Sequence, residues 1–383
     1  MIETTLAQLT LNITDGKHGD CVNESDSGYY FISCKDITNG NVNYENARQI
    51  TKKDFLETHK RTMLEPDDIL VTNSGTIGRM AFVKDTPLTY RTTFQKSVAI
   101  VKPDSNKILP RYLYYLLQYC VEDFVNQSNG AAQKNLLLST MRAFNLKYHS
   151  SKEKQKRISD ILSAYDDLIE NNQKQINLLE EAAQRLYKEW FVDLRFPGYE
   201  NTPIIDGVPR GWRNGTLGEI AFLKRGKTIT KDQTCEGVVP VVAGGLEPAY
   251  YHNQSNTTSP VITVSGSGAN AGFTRMYHTP IWASDCSFVD SQSTGNIYFA
   301  YCVLKSKKED IDALQKGAAQ PHVYAKDINA LEILVPESNC LAEFERVVAP
   351  FFENIKVLYK QIKLSKESRD RLLPKLMSGE LEV

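Results

Sequence analysis

An internal duplication is the feature that most constrains how this chain of 383 residues can fold. The tetrapeptide Gly-Ala-Ala-Gln occurs at 130–133 and again at 317–320, each time before an apolar run and a long stretch of helical periodicity. Shorter matches pair Leu6–Leu9 with Leu217–Ile220, and Gly16-Lys17 with Gly226-Lys227. Solenoid units span roughly 20–50 residues, and this repeat is much longer. The chain therefore carries two copies of one module, each with a globular part and a helical part.

The chain divides by pattern into four segments. We expect a first globular domain at 1–149, a long helix at 150–196, a connector with a second globular domain at 197–336, and a C-terminal helix at 337–383. Runs of β-branched and aromatic residues, bounded by Gly, Asn and Asp, predict strands in both globular parts. These runs are Tyr29–Ile32, Ile69–Thr72, Met80–Val83, Ser97–Val101, Val238–Val242, Val261–Val264 and Ile297–Tyr301. With one helix predicted from Pro110 to Phe124, the expected fold class is α+β.

Each helical segment carries a heptad seam, in which the spacing alternates between four and three residues. The first seam consists of Ile158, Leu162, Tyr165, Ile169, Asn172, Ile176, Leu179, Ala183, Leu186 and Trp190. The second consists of Phe344, Val348, Phe351, Ile355, Leu358, Ile362, Ser365, Arg369, Leu372 and Leu376. A helix of roughly 40 residues is about 60 Å long and cannot bury such a stripe alone. We therefore expect the seams to pack as an antiparallel coiled coil that joins two globular domains related by pseudo-twofold symmetry.

Three features of these helices carry further expectations. Asn172 interrupts the first seam, and a lone polar residue there commonly fixes register or pairing. Ser150 and Glu153 have the spacing of a capping box at the start of the first helix. Pro350 should kink the second helix or mark its true start.

Charge and cysteine content limit the class of protein. The formal net charge is −1, so no global field draws the chain to nucleic acid. Basic residues do cluster at 52–53, 59–61, 147–157 and 224–227, although a single cluster is more often a solvated face. The 7 cysteines are scattered without a Cys-x-x-Cys pair, which favours reduced thiols in the cytoplasm and neither disulfides nor zinc. No apolar run has the length of a membrane span, and the N-terminus does not resemble a signal peptide.

Motifs for catalysis are missing from the sequence. Gly16-Lys17 and Gly226-Lys227 lack the upstream glycine of a phosphate loop. The chain has no Pro-Pro, which the flipped-base element of adenine methyltransferases requires. Pro66-Asp67 and Pro103-Asp104 are not followed by the Asp/Glu-x-Lys of a nuclease metal site, and the histidines are isolated. We therefore expect no catalytic residues, no cofactor and no metal.

Two glycine loops, at 72–79 and 265–272, follow equivalent predicted strands in the two halves. Small hydroxyl and amide residues with exposed backbone N–H groups suit phosphate contacts. The same residues also make tight hairpins, and the sequence favours neither interpretation over the other. A dinucleotide site is not favoured, since no βαβ pattern surrounds either loop.

Longer motifs carry a family resemblance. They are Leu-Tyr-Lys-Glu-Trp-Phe-Val-Asp-Leu-Arg-Phe at 186–196, Gly-Val-Pro-Arg-Gly-Trp at 207–212, and Leu-Leu-Pro-Lys-Leu-Met-Ser-Gly-Glu-Leu at 372–381. Together with the duplicated Gly-Ala-Ala-Gln, they make the chain resemble a specificity subunit of a type I restriction-modification system over essentially its full length. One departure is that the first half has no counterpart of the Pro-Arg-Gly-Trp segment at 209–212, which leaves the edge of its first domain open.

The resemblance implies a DNA-reading adaptor. Each globular part would be a target recognition domain for one half of a bipartite, asymmetric site in double-stranded DNA. The helices would set the gap and bind two methyltransferase subunits, with restriction subunits as further partners. From their positions in the repeat, we expect one DNA-facing surface that includes Lys17, Ser74, Gly75, Thr76, Arg79, Lys224, Arg225, Lys227, Ser265, Ser267 and Asn270. As an alternative to a phosphate contact, Arg79 would read a guanine base.

Two other function classes are also compatible with the sequence. A coiled-coil scaffold would share the helices but would show no sequence-specific DNA binding when a methyltransferase partner is added. A self-sufficient modification or restriction enzyme would transfer methyl groups or cut DNA without partners, and the missing motifs count against it.

Overall fold

The computed structural model describes residues 1–128, 135–317 and 320–383. The first Gly-Ala-Ala-Gln segment, at 130–133, and the central two residues of the second lie outside the described residues. The chain forms two compact units: unit 1 contains Met1–Ile169 and Lys363–Val383, and unit 2 contains Glu170–Ile362. Each unit therefore combines one globular part with a length of both long helices. Among the described residues, no helix has the length and apolar character needed to cross a membrane.

Unit 1 is built on an antiparallel sheet. Its described strands are β1 (Ile2–Thr5), β2 (Thr10–Asp15), β3 (Tyr30–Ile32), β4 (Ile37–Thr38), β5 (Asn41–Val42), β6 (Ile69–Thr72), β7 (Met80–Phe82), β8 (Thr92–Phe94), β9 (Val98–Pro103) and β10 (Asn145–Tyr148). Its helices are α1 (Lys52–Thr62), α2 (Pro110–Tyr119), α3 (Val121–Asn126), α4 (Leu138–Ala143) and the first part of α5 (Lys152–Tyr187). The central sheet has the order β2-β9-β6-β7, β1 pairs with β10, β4 with β5, and β3 runs parallel to β8.

Unit 2 repeats this architecture. Its described strands are β11 (Ile204–Ile205), β12 (Val208–Pro209), β13 (Arg213–Thr216), β14 (Lys224–Arg225), β15 (Val239–Val242), β16 (Tyr250–His252), β17 (Val261–Ser265), β18 (Thr274–Tyr277), β19 (Trp282–Ala283), β20 (Cys286–Asp290) and β21 (Glu332–Val335). Its helices are α6 (Leu217–Ile220), α7 (Ile297–Ser306), α8 (Lys308–Ala313), α9 (Ala325–Asn329) and most of α10 (Ser338–Ser378). The central sheet has the order β14-β20-β17-β18, β13 pairs with β21, and β15 runs parallel to β19.

The prediction that the two globular parts share one fold is confirmed by this matching topology. The pairing of their front ends is also confirmed: Thr5 and Gln8 form a capping box, and so do Thr216 and Glu219. In unit 1, one hydrophobic cluster joins the sheet to the helices, since Ile13, Tyr112, Ile158 and Leu376 are all buried in it.

The run Ile297–Tyr301 is a helix, and its prediction as a strand is wrong. It forms the first half of α7, in which every residue from Ile297 to Leu304 is buried. A helix enclosed on all sides loses the polar face that produces helical periodicity. Its short apolar run therefore cannot be distinguished from a buried strand by pattern.

The two helix-start expectations also differ from the structure. Helix α5 begins at Lys152, and the Ser151 hydroxyl accepts a hydrogen bond from Lys154 N at 3.3 Å. The cap is therefore Ser151, one residue beyond the predicted capping box that begins at Ser150. Helix α10 begins at Ser338 and continues through Pro350, so this proline does not mark its start.

The two long helices run antiparallel within each unit. In unit 1, His149 Nε2, just before α5, lies 3.3 Å from Leu376 O, and Asp166 further along pairs with Arg369 at 2.6 Å. Residues later in α5 therefore contact residues earlier in α10, as antiparallel helices do. Every position of both predicted seams is buried or partly buried, which confirms the coiled-coil prediction.

Unit 2 shows the same direction of pairing. Asn172 Nδ2 donates to Gln361 Oε1 at 3.1 Å, and the Trp190 and Phe344 rings lie 5.7 Å apart. Asn172 is buried, with 2 % of its surface exposed. Its hydrogen bond to the other long helix satisfies a polar group that would otherwise be costly to bury. The same bond fixes the position of α5 along α10 at this point.

Candidate nucleic-acid interface

The Gly-Lys pair occupies the same backbone position in both units. A Cβ on Gly16 would lie 2.0 Å from Phe94 O, and Lys17 N donates to that oxygen at 2.8 Å. In unit 2, a Cβ on Gly226 would lie 2.3 Å from a backbone oxygen, and Lys227 N donates at 2.9 Å to Ala283 O. Only glycine allows the chain to approach its neighbour this closely. The backbone packing therefore requires glycine at this position in both copies.

The two glycine loops form the same turn. Each has two glycines with positive φ, which L side chains rarely adopt: Gly75 (78°), Gly78 (86°), Gly268 (80°) and Gly272 (86°). In both loops the second glycine closes the turn, since Gly78 N donates to Thr72 O and Gly272 N donates to Ser265 O, each at 2.9 Å. A structural turn is therefore present in both loops, and phosphate contact by the loop tips stays a prediction.

Each loop is bonded to the segment that follows the Gly-Ala-Ala-Gln repeat. Leu136 N donates to Asn73 O at 2.8 Å in unit 1, and Val323 N donates to Gly266 O at 3.1 Å in unit 2. A cleft lies beside this junction in each unit. We call them cleft 1 (Asp15, His18, Arg61, Asn73, Ser74 and Lys96, with 135–138) and cleft 2 (Arg225, Gly266, Asp285 and His322, with 323–325).

In cleft 1, the carboxylate of Asp15 contacts two other side chains, those of His18 and Arg61. The Asp15 side chain is only 8 % exposed. Its Oδ2 lies 2.8 Å from His18 Nε2, and its Oδ1 accepts from the Arg61 guanidinium. Asn73 lines the same cleft and is buried, and its Oδ1 has no hydrogen-bond partner among the described residues.

Cleft 2 contains the same residue types at different positions. The Arg225 guanidinium lies 3.9 Å from Asp285 Oδ1, and Ser267 Oγ donates to Asp285 Oδ2 at 2.5 Å. His322 and Tyr324 stack with ring centroids 6.2 Å apart. Arg225 directly precedes Gly226 just as Asp15 precedes Gly16, so this equivalent position carries opposite charges in the two clefts.

The predicted DNA-contacting residues differ in how exposed the structure leaves them. Gly75, Thr76, Arg79, Lys224 and Lys227 are exposed. Ser74 and Arg225 line the clefts, while Ser267 and Asn270 are partly buried beside the loop of unit 2. Lys17 is partly buried, with Nζ 3.6 Å from Glu57 Oε1 and 3.9 Å from Asp54 Oδ1, so its charge is offset inside the fold.

Ser265 does not lie on an accessible surface. Its side chain is buried, with the residue 3 % exposed, and its hydroxyl donates to Gly244 O at 3.0 Å. It is therefore a support for the turn, and its expected place among the surface residues needs this correction. The sequence prediction also missed Asp15, His18, Asp285 and His322, which enter the clefts only through folding. Arg61 belongs to the basic cluster at 59–61, which was visible in the sequence.

The sequence matches the family described as "Type I restriction modification DNA specificity domain" twice, at residues 17–181 and 209–356. The chain belongs to this family. The first matched range contains cleft 1 except Asp15, the second contains all of cleft 2, and each includes a length of one long helix.

Relatives within this specificity family extend over most of the chain. It is 30 % identical to the type I restriction enzyme MjaIX specificity subunit of Methanocaldococcus jannaschii, over 92 % of this chain and 87 % of that protein. It is 22 % identical to the HindI specificity subunit of Haemophilus influenzae, over 74 % of this chain and 80 % of that protein. The crystal structure of a type I restriction-modification S subunit from M. genitalium has the same fold, with a TM-score of 0.58 and 18 % identity over 98 % of this chain and 96 % of that one.

Proposed function

We propose that this chain is the DNA specificity subunit of a type I restriction-modification complex, in which each unit reads one half of a bipartite, asymmetric site. The observation that carries the proposal is the repeated cleft. The same glycine turns and the same close backbone approach build it in both units, and different polar side chains fill it. A common backbone with different side chains suits two readers of different sequences, because base identity is read by side chains at the base edges.

The chain acts as an adaptor and leaves methyl transfer and cleavage to its partners. No group of His, Cys, Asp and Glu residues in the described part of the chain is arranged to hold a metal ion, and the sequence lacks the methyltransferase and nuclease motifs. The exposed side chains of Arg79, Lys224 and Lys227 are proposed to contact phosphates, which would give the complex part of its salt-dependent affinity.

The long helices are proposed to set the gap and to bind two methyltransferase subunits, with restriction subunits completing the complex. Helix α5 has 36 residues, about 54 Å at the usual rise, which exceeds one turn of B-DNA, about 34 Å. Leu178 on α5 and Leu364 on α10 occupy repeat-equivalent positions and are 63 % and 51 % exposed. Two equivalent exposed leucines suit two copies of one partner.

The test is to map methylated bases in DNA from cells that express this chain together with its methyltransferase subunit. We expect one bipartite motif with a fixed gap, and no such motif when either protein is omitted. A coiled-coil scaffold predicts that methylation is the same with and without the chain. A self-sufficient enzyme predicts methylation by the chain alone.

A further inference from the structure

We propose that cleft 1 reads a guanine with Arg61, which Asp15 holds in place. This proposal rests on the proposed function and assigns its specificity-determining residues. A guanidinium forms two parallel hydrogen bonds to guanine O6 and N7 in the major groove, which is the commonest base-specific contact. The contact requires the guanidinium to be held in a fixed orientation, because a freely rotating arginine binds a phosphate as readily as a base.

Cleft 1 supplies that orientation. Asp15 is almost fully buried, so its carboxylate is held in the fold, and its Oδ1 accepts from Nη2 of Arg61. A guanidinium has five N–H donors, and this bond uses one of them. The Arg61 side chain remains 52 % exposed. Its Nη1 and the second hydrogen of Nη2 therefore stay available as a two-pronged donor, while Asp15 acts as the positioning residue.

A second observation in cleft 1 points to an occupant. Asn73 is 4 % exposed and lines this cleft, yet its Oδ1 has no hydrogen-bond partner among the described residues. An acceptor left unpaired in a folded protein is costly. An exocyclic amine of cytosine or adenine, next to the guanine, is a donor of the right kind.

Cleft 2 also contains an arginine and an aspartate, but no hydrogen bond joins them. Arg225 is 75 % exposed in its side chain and lies 3.9 Å from Asp285 Oδ1, while Ser267 holds the other carboxylate oxygen. By contrast, Arg79 is exposed and its guanidinium has no hydrogen bond or ion pair with the described residues. The geometry therefore favours Arg61 over Arg79 as a guanine reader.

The experiment maps methylation by the complete complex carrying Arg61→Gln, Arg61→Ala or Asp15→Asn. We expect both Arg61 variants to relax one guanine position in one half-site, with discrimination reduced roughly 5- to 150-fold. Asp15→Asn should relax the same position to a smaller extent, because Arg61 keeps its donors and loses only its fixed orientation. Arg225→Gln should leave this guanine position unchanged, because Arg225 belongs to the other unit.

Lys60→Ala is the matched control, since Lys60 is the exposed basic neighbour of Arg61 on α1, and it should leave the motif unchanged. Arg61→Gln keeps a hydrogen-bonding side chain next to Asp15, and thermal unfolding of each variant checks that it folds. An unchanged motif in folded Arg61→Gln overturns the proposal. So does an equal loss at all sites, which would make Arg61 a phosphate contact. A wild-type complex that methylates no defined motif would instead refute the proposed function.

Discussion

Asp15-Gly16 and Arg225-Gly226 show which single positions the two copies share and which they do not. The glycines are the same because a Cβ there would overlap the neighbouring backbone, at 2.0 and 2.3 Å. The residues before them differ in charge, although the backbone places them at equivalent cleft positions. Residues that shape the turn are thus shared between the copies, and residues that face the cleft are not.

Glu345 gives unit 2 a pH-dependent stability. Its carboxylate accepts from Phe299 N at 2.7 Å and Tyr298 N at 3.4 Å, and so caps the start of α7. Burial raises the pKa of Glu345 to about 7, against the effect of these two backbone bonds. A raised folded-state pKa means that the folded state holds the proton more tightly than the unfolded state. The stabilisation that the Glu345 carboxyl contributes is therefore fully present below pH 4.5, its unperturbed pKa. It is lost as pH rises through about 7.

We expect Glu345→Gln to remove this slope. Wild-type protein should lose up to about 3 kcal/mol of unfolding free energy between pH 5 and 8 from this group, and the variant should lose correspondingly less. Urea denaturation across this pH range measures the difference. Glu343→Gln, at a position on the same helix whose side chain is 41 % exposed, should keep the wild-type slope. Equal slopes in wild type and Glu345→Gln would show that this carboxyl is not the titrating group.

Among the elements, the long helices were the most predictable from sequence and α7 the least. The seams repeat over many turns, so periodicity alone identified Ile158 and Ile355 as buried positions. Helix α7 lacks a polar face because Glu345 and the surrounding aromatic rings enclose it. The clefts were only partly predictable. Asp15 and Arg61 are 46 residues apart in sequence, and no local pattern links a strand end to the end of a helix.

The seam prediction has a direct stability test in Ile355→Asp. Ile355 is fully buried, and an aspartate there would place an unpaired charge between the helices. We expect a loss of about 4 kcal/mol in unfolding free energy. Val357→Asp is the control on the same helix, because Val357 is 50 % exposed, and it should change stability by less than about 0.5 kcal/mol. Similar losses in both variants would mean that Ile355 does not face a dry seam.

The outer faces of the helices have a separate test. We expect the double variant Leu178→Asp/Leu364→Asp to fold normally and to lose binding of the methyltransferase subunit, because it removes both exposed leucines. Size-exclusion chromatography with light scattering gives the number of subunits bound. Each single variant should bind one copy where the wild-type chain binds two. Val238→Asp, at a position 83 % exposed in unit 2 and outside both long helices, should bind normally. Retention of both copies by the double variant would place the docking surface elsewhere.

The duplicated architecture predicts that the two half-sites can be changed independently. Residues 213–336 begin at β13 and end just after β21, and these two strands pair with each other. An exchange at these points therefore joins the new segment at a closed strand pair and leaves the helix seams intact. We expect replacement of 213–336 by the equivalent segment of a relative to alter one half of the methylated motif. The other half and the gap length should be retained, because unit 1 and the helices are unchanged. Methylation mapping measures all three quantities at once. A change in both halves, or in the gap, would show that the readers are coupled and that specificity is not divided between the two clefts.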